Sequence, residues 1–393
     1  MRGYGVSVVV ITRNRAEVAQ QTIDRLLQQE GVDFEIIVVD QAPVMRTEKG
    51  STGPGRDRPE TGQPQARATQ DTSSPLQSYC LRRSASQAAR SAPGGDAPCV
   101  RYTATPVGNP SRARNIGILL AKYPVVLFCD DGAEPLPGLL QAHSAVYAES
   151  GVAGVAGAVL SPSQVPPAEK ALTDSRLERV ADSPPIGKVR AWDMREYGSF
   201  GSRLPGDVDR GDVCNLSFRR DVLLDVNGFN SQFGNGPAPY EDLELCLRIK
   251  KRGWRLAFEP SAAVVHEETP WRGSLWSHAR WVYWRFKYRA AIFCRHVNLI
   301  GLPFFPFLEF LRLLALKNVF ASSAGRLAGL WGKNTRVSVV TVACGFAGTG
   351  VGLLEGLPDI LDRLLALLGL ELGRCDYGDL DKVVAEYGLM MVA

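Results

Sequence analysis

The chain has only four histidines in 393 residues, and its eight cysteines are scattered with no CxxC pair. Those shortages exclude zinc fingers, zinc ribbons and disulfide scaffolds, which need Cys or His at fixed short spacings. Cysteines set in apolar runs suit buried thiols in a reducing compartment. An unbroken stretch of about 20 apolar residues, the length of a membrane-spanning helix, is also missing. The two nearest candidates are interrupted, Ile300 to Phe320 by prolines and charges and Val337 to Leu354 by glycines. The N-terminal MRGYGVSVVVITRNR carries an apolar run without a small-residue cleavage site, so it reads as a first strand and not as a signal peptide. Finally, 45 basic residues stand against 41 acidic ones, a net charge of +4. That balance lacks the strong basic excess of a nucleic-acid binder, and no nucleic-acid partner is expected.

What is present is an ordinary globular composition, 45% hydrophobic and 22% charged. The length suits two domains, or one with appendages. Val6 to Thr12 and Phe34 to Asp40 read as strands, with a helical period from Val18 to Gln29 between them. Short connections make this a β-α-β unit with parallel neighbouring strands. Ala42 to Pro98 breaks the pattern, rich in Pro, Gly, Ser, Arg and Gln, and reads as a disordered or mobile insertion. Order resumes with a strand at Val100 to Thr105 and a helix opened by Asn109-Pro110-Ser111. Further expected elements are a strand at Val125 to Phe128, a helix at Leu136 to Glu149, strands at Gly154 to Leu160 and Asp212 to Phe218, and a helix at Arg220 to Val226 stopped by Asn227-Gly228. A helix then spans Tyr240 to Arg252, and two strands follow at Trp254 to Phe258 and Ala262 to His266. Residues 1–270 therefore form an α/β unit and 271–393 a helical C-terminal region. The latter opens on a basic, aromatic segment, Trp276 to Arg295. Tryptophans on a basic helix beside apolar segments fit a protein at a membrane surface, and fit equally a helical subdomain or an oligomer interface.

Chemistry concentrates where strands end. VVLFCDDGAEP puts two adjacent carboxylates, Asp130 and Asp131, after a buried strand. Ligands of open α/β sheets bind at that edge, and paired carboxylates suit an oxygen-loving divalent cation. Thr12 and Asp40 end two other strands of the same series, so all four should meet in one cleft. Asp242, at a helix start, is placed to act as a general base on a hydroxyl. His266 ends an apolar strand and is a candidate metal ligand.

Together the segments VSVVVITRNR, FEIIVVDQ, GNPSRARNIGI, VVLFCDDGAEP, DVCNLSFRRDVLLDVNGFN, YEDLELCLRIKKRGW and VVHEE resemble family 2 glycosyltransferases. The resemblance implies the GT-A fold, a Rossmann-like, mostly parallel sheet flanked by helices. It implies an inverting transferase that uses a nucleotide-diphosphate sugar, UDP-sugars favoured, with Mn²⁺ or Mg²⁺. By the same resemblance Thr12, Arg13, Asp40, Arg114, Asn115, Asp130 and Glu241 form the nucleotide-sugar set. Asp131 with His266 holds the metal, and Asp242 is the base. Many relatives carry Asp where this chain has Gly132, so either Asp131 holds the metal, with help from His266, or metal binding is weakened. The acceptor is expected to be a saccharide or lipid-linked hydroxyl, in cell-surface polysaccharide or glycolipid synthesis at the cytoplasmic face of a membrane. Two other readings remain open, a non-catalytic binding or scaffold protein of the same fold and a sugar-nucleotide nucleotidyltransferase. Against the second stands the first turn, Thr12-Arg13-Asn14-Arg15, which has no glycine to cradle phosphates.

Overall fold

The structure is a computed structural model describing residues 4–41, 74–90, 98–106, 108–162, 188–190, 195–197, 204–236, 240–266, 275–296, 347–355, 380 and 382. Its centre is a nine-stranded sheet. The first strands are β1 (Val6–Thr12), β2 (Phe34–Asp40), β3 (Cys99–Ala104) and β4 (Val125–Asp130). All four run parallel, in the order β3-β2-β1-β4. The sheet continues through β10 (Asn215–Arg219), β6 (Val152–Leu160), β11 (Arg255–His266) and β5 (Ala133–Pro135), and β9 (Gly206–Val208) also pairs with β11. Strand β10 runs antiparallel between β4 and β6, whereas β6 and β11 are parallel to each other. A separate two-stranded pair joins β7 (Lys188–Arg190) to β8 (Arg195–Tyr197).

The apolar runs of β1, β2 and β4 are continuous because both faces of these strands are covered. Val8, Val10, Ile36, Val38 and Leu127 face one layer, closed by α1 (Ala16–Leu26) and α4 (Leu139–Val146). Val9, Ile37, Val39, Val126 and Phe128 face the other. That second layer is closed by α3 (Pro110–Leu120), α5 (Arg220–Asp225) and α6 (Glu241–Lys251). Helix α3 lies tight on the sheet, since a Cβ at Gly117 would come within 2.4 Å of Val9 Cγ1. Helix α5 ends at Asn227 and Gly228, both with positive φ (60° and 65°), as that pair predicts.

Two expectations need correction. Residues 42–98 are not without structure throughout, because α2 (Pro75–Arg90) packs on β3 and α1. Ser74 caps it by accepting the Gln77 amide at 3.0 Å, and Leu76 and Cys80, one turn apart, are buried. Residues 42–73 and 91–97 lie outside the described residues. The two strands expected at 254–266 are one strand, β11, which passes Glu259-Pro260-Ser261 through an irregularity in its pairing with β6.

In the C-terminal region, α7 (Leu275–His296) packs Tyr288, Ala291 and Phe293 against Phe233, Tyr240 and Leu243, next to the start of α6. Tyr288 donates to the Asn235 carbonyl at 2.6 Å, and Trp284 lies against Gly236. Asn109 of the α3 cap holds the same loop from the other side through Ser231 and Asn235. Among the described residues no helix is long and apolar enough to cross a membrane. The apolar segment 300–320 lies outside the described residues.

Candidate active site

Register brings the strand ends together. Thr12 pairs with Asp40 across β1 and β2, and Ile11 with Asp130 across β1 and β4. The C-terminal ends of three parallel strands thus present Thr12, Asp40, Asp130 and Asp131 along one edge. The Thr12 hydroxyl donates to Asp131 Oδ2 at 2.8 Å. Arg15 Nη1 reaches Oδ1 of the same carboxylate, also at 2.8 Å. Burial raises the Asp131 carboxyl above the usual carboxylate range, and Thr12, Arg15 and His266 pull it back. Asp40 accepts from the Tyr102 hydroxyl at 3.0 Å.

A second group joins this edge to α6. Arg114, 4% exposed, donates to Glu241 Oε1 at 2.6 Å and to Asp130 Oδ1 at 3.3 Å. Burial works against the Arg114 charge, but Glu241 and then Asp130 outweigh it and hold the guanidinium protonated. Beside Glu241, Asp242 accepts from Arg210 Nη2 at 2.8 Å and from the Leu243 amide at 2.6 Å. Burial pushes the Asp242 carboxyl up to about 7, with Arg210 opposing and Glu241 and Asp212 adding to the rise. A carboxylate tuned near neutrality is what a base working at physiological pH needs.

The expected residues do not all face the cleft. Asn115 is fully buried, and its amide both donates to the Phe229 carbonyl (2.9 Å) and accepts the Phe229 N–H (2.8 Å). This geometry makes it a clamp between α3 and the segment after α5. Arg13 is exposed, its guanidinium lying against Gly108. Sequence reasoning missed Arg15 and Arg210 as site residues. Arg210 had a signal, because a buried aspartate needs a cation and Arg210 stands among Asp209, Gly211 and Asp212.

His266 pairs with Ala133, two residues past Asp131, and is close enough to influence the Asp131 carboxyl. One carboxylate and one imidazole are donors that suit Mn²⁺. Among the described residues, no cluster of three or more Asp, Glu, His or Cys can hold a metal. Among the described residues, Asp131 and His266 would supply two donors, and the rest of a coordination shell would fall to substrate phosphate and water, a common arrangement for divalent cations at phosphate sites. On that basis the residues fit the cation.

Residues 7–49 match the family model described as Glycosyl transferase family 2. The Pre-mycofactocin glycosyltransferase of Mycobacterium tuberculosis, in strains CDC 1551 / Oshkosh and H37Rv, is 30% identical over 158 residues, 40% of this chain. The chain spans 30% of the length of these curated relatives. Among solved structures, the mannosyltransferase PcManGT from Pyrobaculum calidifontis, in complex with GDP-Man and Mn²⁺, aligns over 100% of this chain and 81% of its own. It does so at a TM-score of 0.43 and 15% identity. GalNAc-T7 with UDP, GalNAc and Mn²⁺ aligns over 74% of this chain and 51% of its own, at a TM-score of 0.45 and 13% identity. The chain is thus similar to family 2 glycosyltransferases over its N-terminal segment, residues 7–49, which supplies β1, β2 and two of the residues along the strand-end edge.

Proposed function

We propose that the chain transfers a sugar from a nucleotide-diphosphate donor, a UDP-sugar for preference, to an acceptor hydroxyl with inversion at the anomeric carbon. The observation that carries this reading is Asp242, a buried carboxylate held near neutrality and joined through Glu241, Arg114 and Asp130 to the strand ends. Thr12, Arg13, Asp40 and Asp130 receive the nucleotide. Arg114 orients Asp130 and Glu241, and Asn115 fixes the helix that carries Arg114. Asp131 and His266 would hold Mn²⁺ or Mg²⁺, which when bound offsets the charge that develops on the departing diphosphate. Asp242 takes the proton of the acceptor hydroxyl as that oxygen attacks the anomeric carbon. Among the described residues Asp242 alone is assigned a proton-transfer role and none is assigned as a nucleophile, which supports a single displacement and hence inversion.

The test is a screen of nucleoside diphosphates and nucleotide sugars by thermal shift and calorimetry, with and without Mn²⁺. Saturable binding of one nucleoside diphosphate is expected, and binding of none would overturn the reading. A scaffold protein would bind donor without turnover, and a nucleotidyltransferase would release pyrophosphate.

A lipid-linked acceptor at a membrane surface has one supporting observation, Trp276, which is 82% exposed at the start of α7 with the exposed Arg280 one turn on. Flotation with anionic liposomes should fall on Trp276→Ser, and an unchanged float would contradict this part. The pathway served, cell-surface polysaccharide or glycolipid synthesis, rests on that acceptor.

A further inference from the structure

The proposed chemistry has no task for Arg15. It stands where β1 hands over to α1, and its carbonyl accepts the Ala19 amide at 3.0 Å. The turn that delivers it contains Asn14 in the left-handed region (φ 56°), a conformation that Asn tolerates better than most side chains. From there the side chain, 55% exposed, extends to Asp131 Oδ1 at 2.8 Å. It lies over Gly132, where a Cβ would come 3.1 Å from Nη2. Gly132 thus puts no side chain beside Asp131, and a guanidinium lies against it. With Thr12 on Oδ2, both oxygens of Asp131 are engaged.

A divalent cation on Asp131 would stand beside this guanidinium, and two cations on one carboxylate repel each other. We propose that Arg15 is an exchangeable counter-ion of Asp131. It holds the carboxylate while the donor site is empty, and it yields Oδ1 to the divalent cation as a nucleoside diphosphate arrives, its guanidinium then turning to the diphosphate oxygens. The diphosphate half of this inference rests on the transferase reading above, whereas the cation half does not. Three features support the exchange. The Arg15 side chain is 55% exposed while Asp131 is 9% exposed, so the guanidinium can pass into water but the buried carboxylate needs the incoming cation in its place. The guanidinium fork matches phosphate oxygens bidentately. Arg13, on the same turn, adds a second exposed guanidinium near the nucleotide set.

The test uses the full chain and counts free Mn²⁺ by electron paramagnetic resonance. Calorimetry with UDP and GDP at saturating Mn²⁺ follows. In the absence of nucleotide, Arg15→Gln should bind Mn²⁺ about tenfold more tightly than wild type, because a competing charge has gone. Arg15→Lys should stay close to wild type, and Asp131→Asn should lose the Mn²⁺ site in either background. With Mn²⁺ saturating, Arg15→Gln should bind the nucleoside diphosphate about tenfold more weakly. A structural role would shift both affinities the same way or neither. Mn²⁺ affinity that is unchanged, lowered or undetectable in Arg15→Gln overturns the inference, whatever the nucleotide does. If Mn²⁺ behaves as expected and the wild type binds neither UDP nor GDP, the exchange at Asp131 stands. In that case the transferase reading and the diphosphate half fall together.

Discussion

Two aspartates of the same cleft are each held by an arginine at 2.8 Å, yet the two arginines differ in burial. Arg15, on Asp131, has 55% of its side chain exposed, whereas Arg210, on Asp242, has 13%. The two carboxylates are equally buried, at 9% and 11% exposed, so the pairs differ in the arginine alone, and only Arg15 can pass into water. Breaking a buried pair leaves an uncompensated charge and costs about 3–5 kcal/mol. Under the proposed roles, Asp131 on the donor side keeps a counter-ion that water can reach, whereas Asp242 on the acceptor side is held by one that the scaffold encloses. The exposure of the arginine, not its distance, is what separates the two pairs.

The largest effect expected is on Asp242. Replacing it by Asn keeps the shape and removes the base, and transfer should fall about 10²–10⁴-fold while donor binding persists. A smaller drop in single-turnover rate would mean that the proton goes elsewhere. Next comes Arg210→Met, which should lower stability to urea by about 3 kcal/mol. It should also move the rising limb of the pH–rate profile to higher pH, because the group that opposes the rise of the Asp242 carboxyl is gone. A limb that stays in place would detach Arg210 from the base. The smallest effect is that of Arg15→Gln on stability, a loss well below that of Arg210→Met, because Thr12 still donates to Asp131. A loss as large as that of Arg210→Met would erase the contrast on which the exchange depends.

Stability and activity respond to Asp242 in opposite ways. Its folded carboxyl is raised to about 7 from the ordinary 3.8. The stabilisation of the neutral form is complete below about pH 4 and is lost as pH rises through about 7. Over the same interval the base ionises and transfer should accelerate. With Asp242 as the proposed base, the fold opposes its ionisation at neutral pH, as active sites commonly do.

Much of the sheet could be read from the chain because its strands are covered on both faces. Val6–Thr12 and Phe34–Asp40 are unbroken apolar runs closed by polar residues, and the structure has the same bounds. The strand-end residues followed from parallel order alone, since the register is in step from Thr12 to Asp40. Other elements were hidden by local composition. Helix α2 is polar on most of its surface and buries Leu76 and Cys80 within a segment rich in Gly, Pro and Ser. The Glu259-Pro260-Ser261 break looks like a turn between two strands, but β6 carries the pairing past it. Arg15 was not legible as a site residue, because a half-exposed arginine acquires its role only from the carboxylate that folding brings to it, whereas Arg210 left the faint signal of a cation among aspartates. Asn115 shows the reverse case, a residue in a motif whose side chain is used entirely on the neighbouring backbone.

The most direct test of the central claim is the pH dependence of single-turnover nucleoside diphosphate release, measured between about pH 5 and 9 with the donor and acceptor that the screen identifies. With Asp242 as the base, the rate should climb about tenfold per pH unit on the acid side and level off above about pH 7. A rate that is flat across that range would contradict the claim.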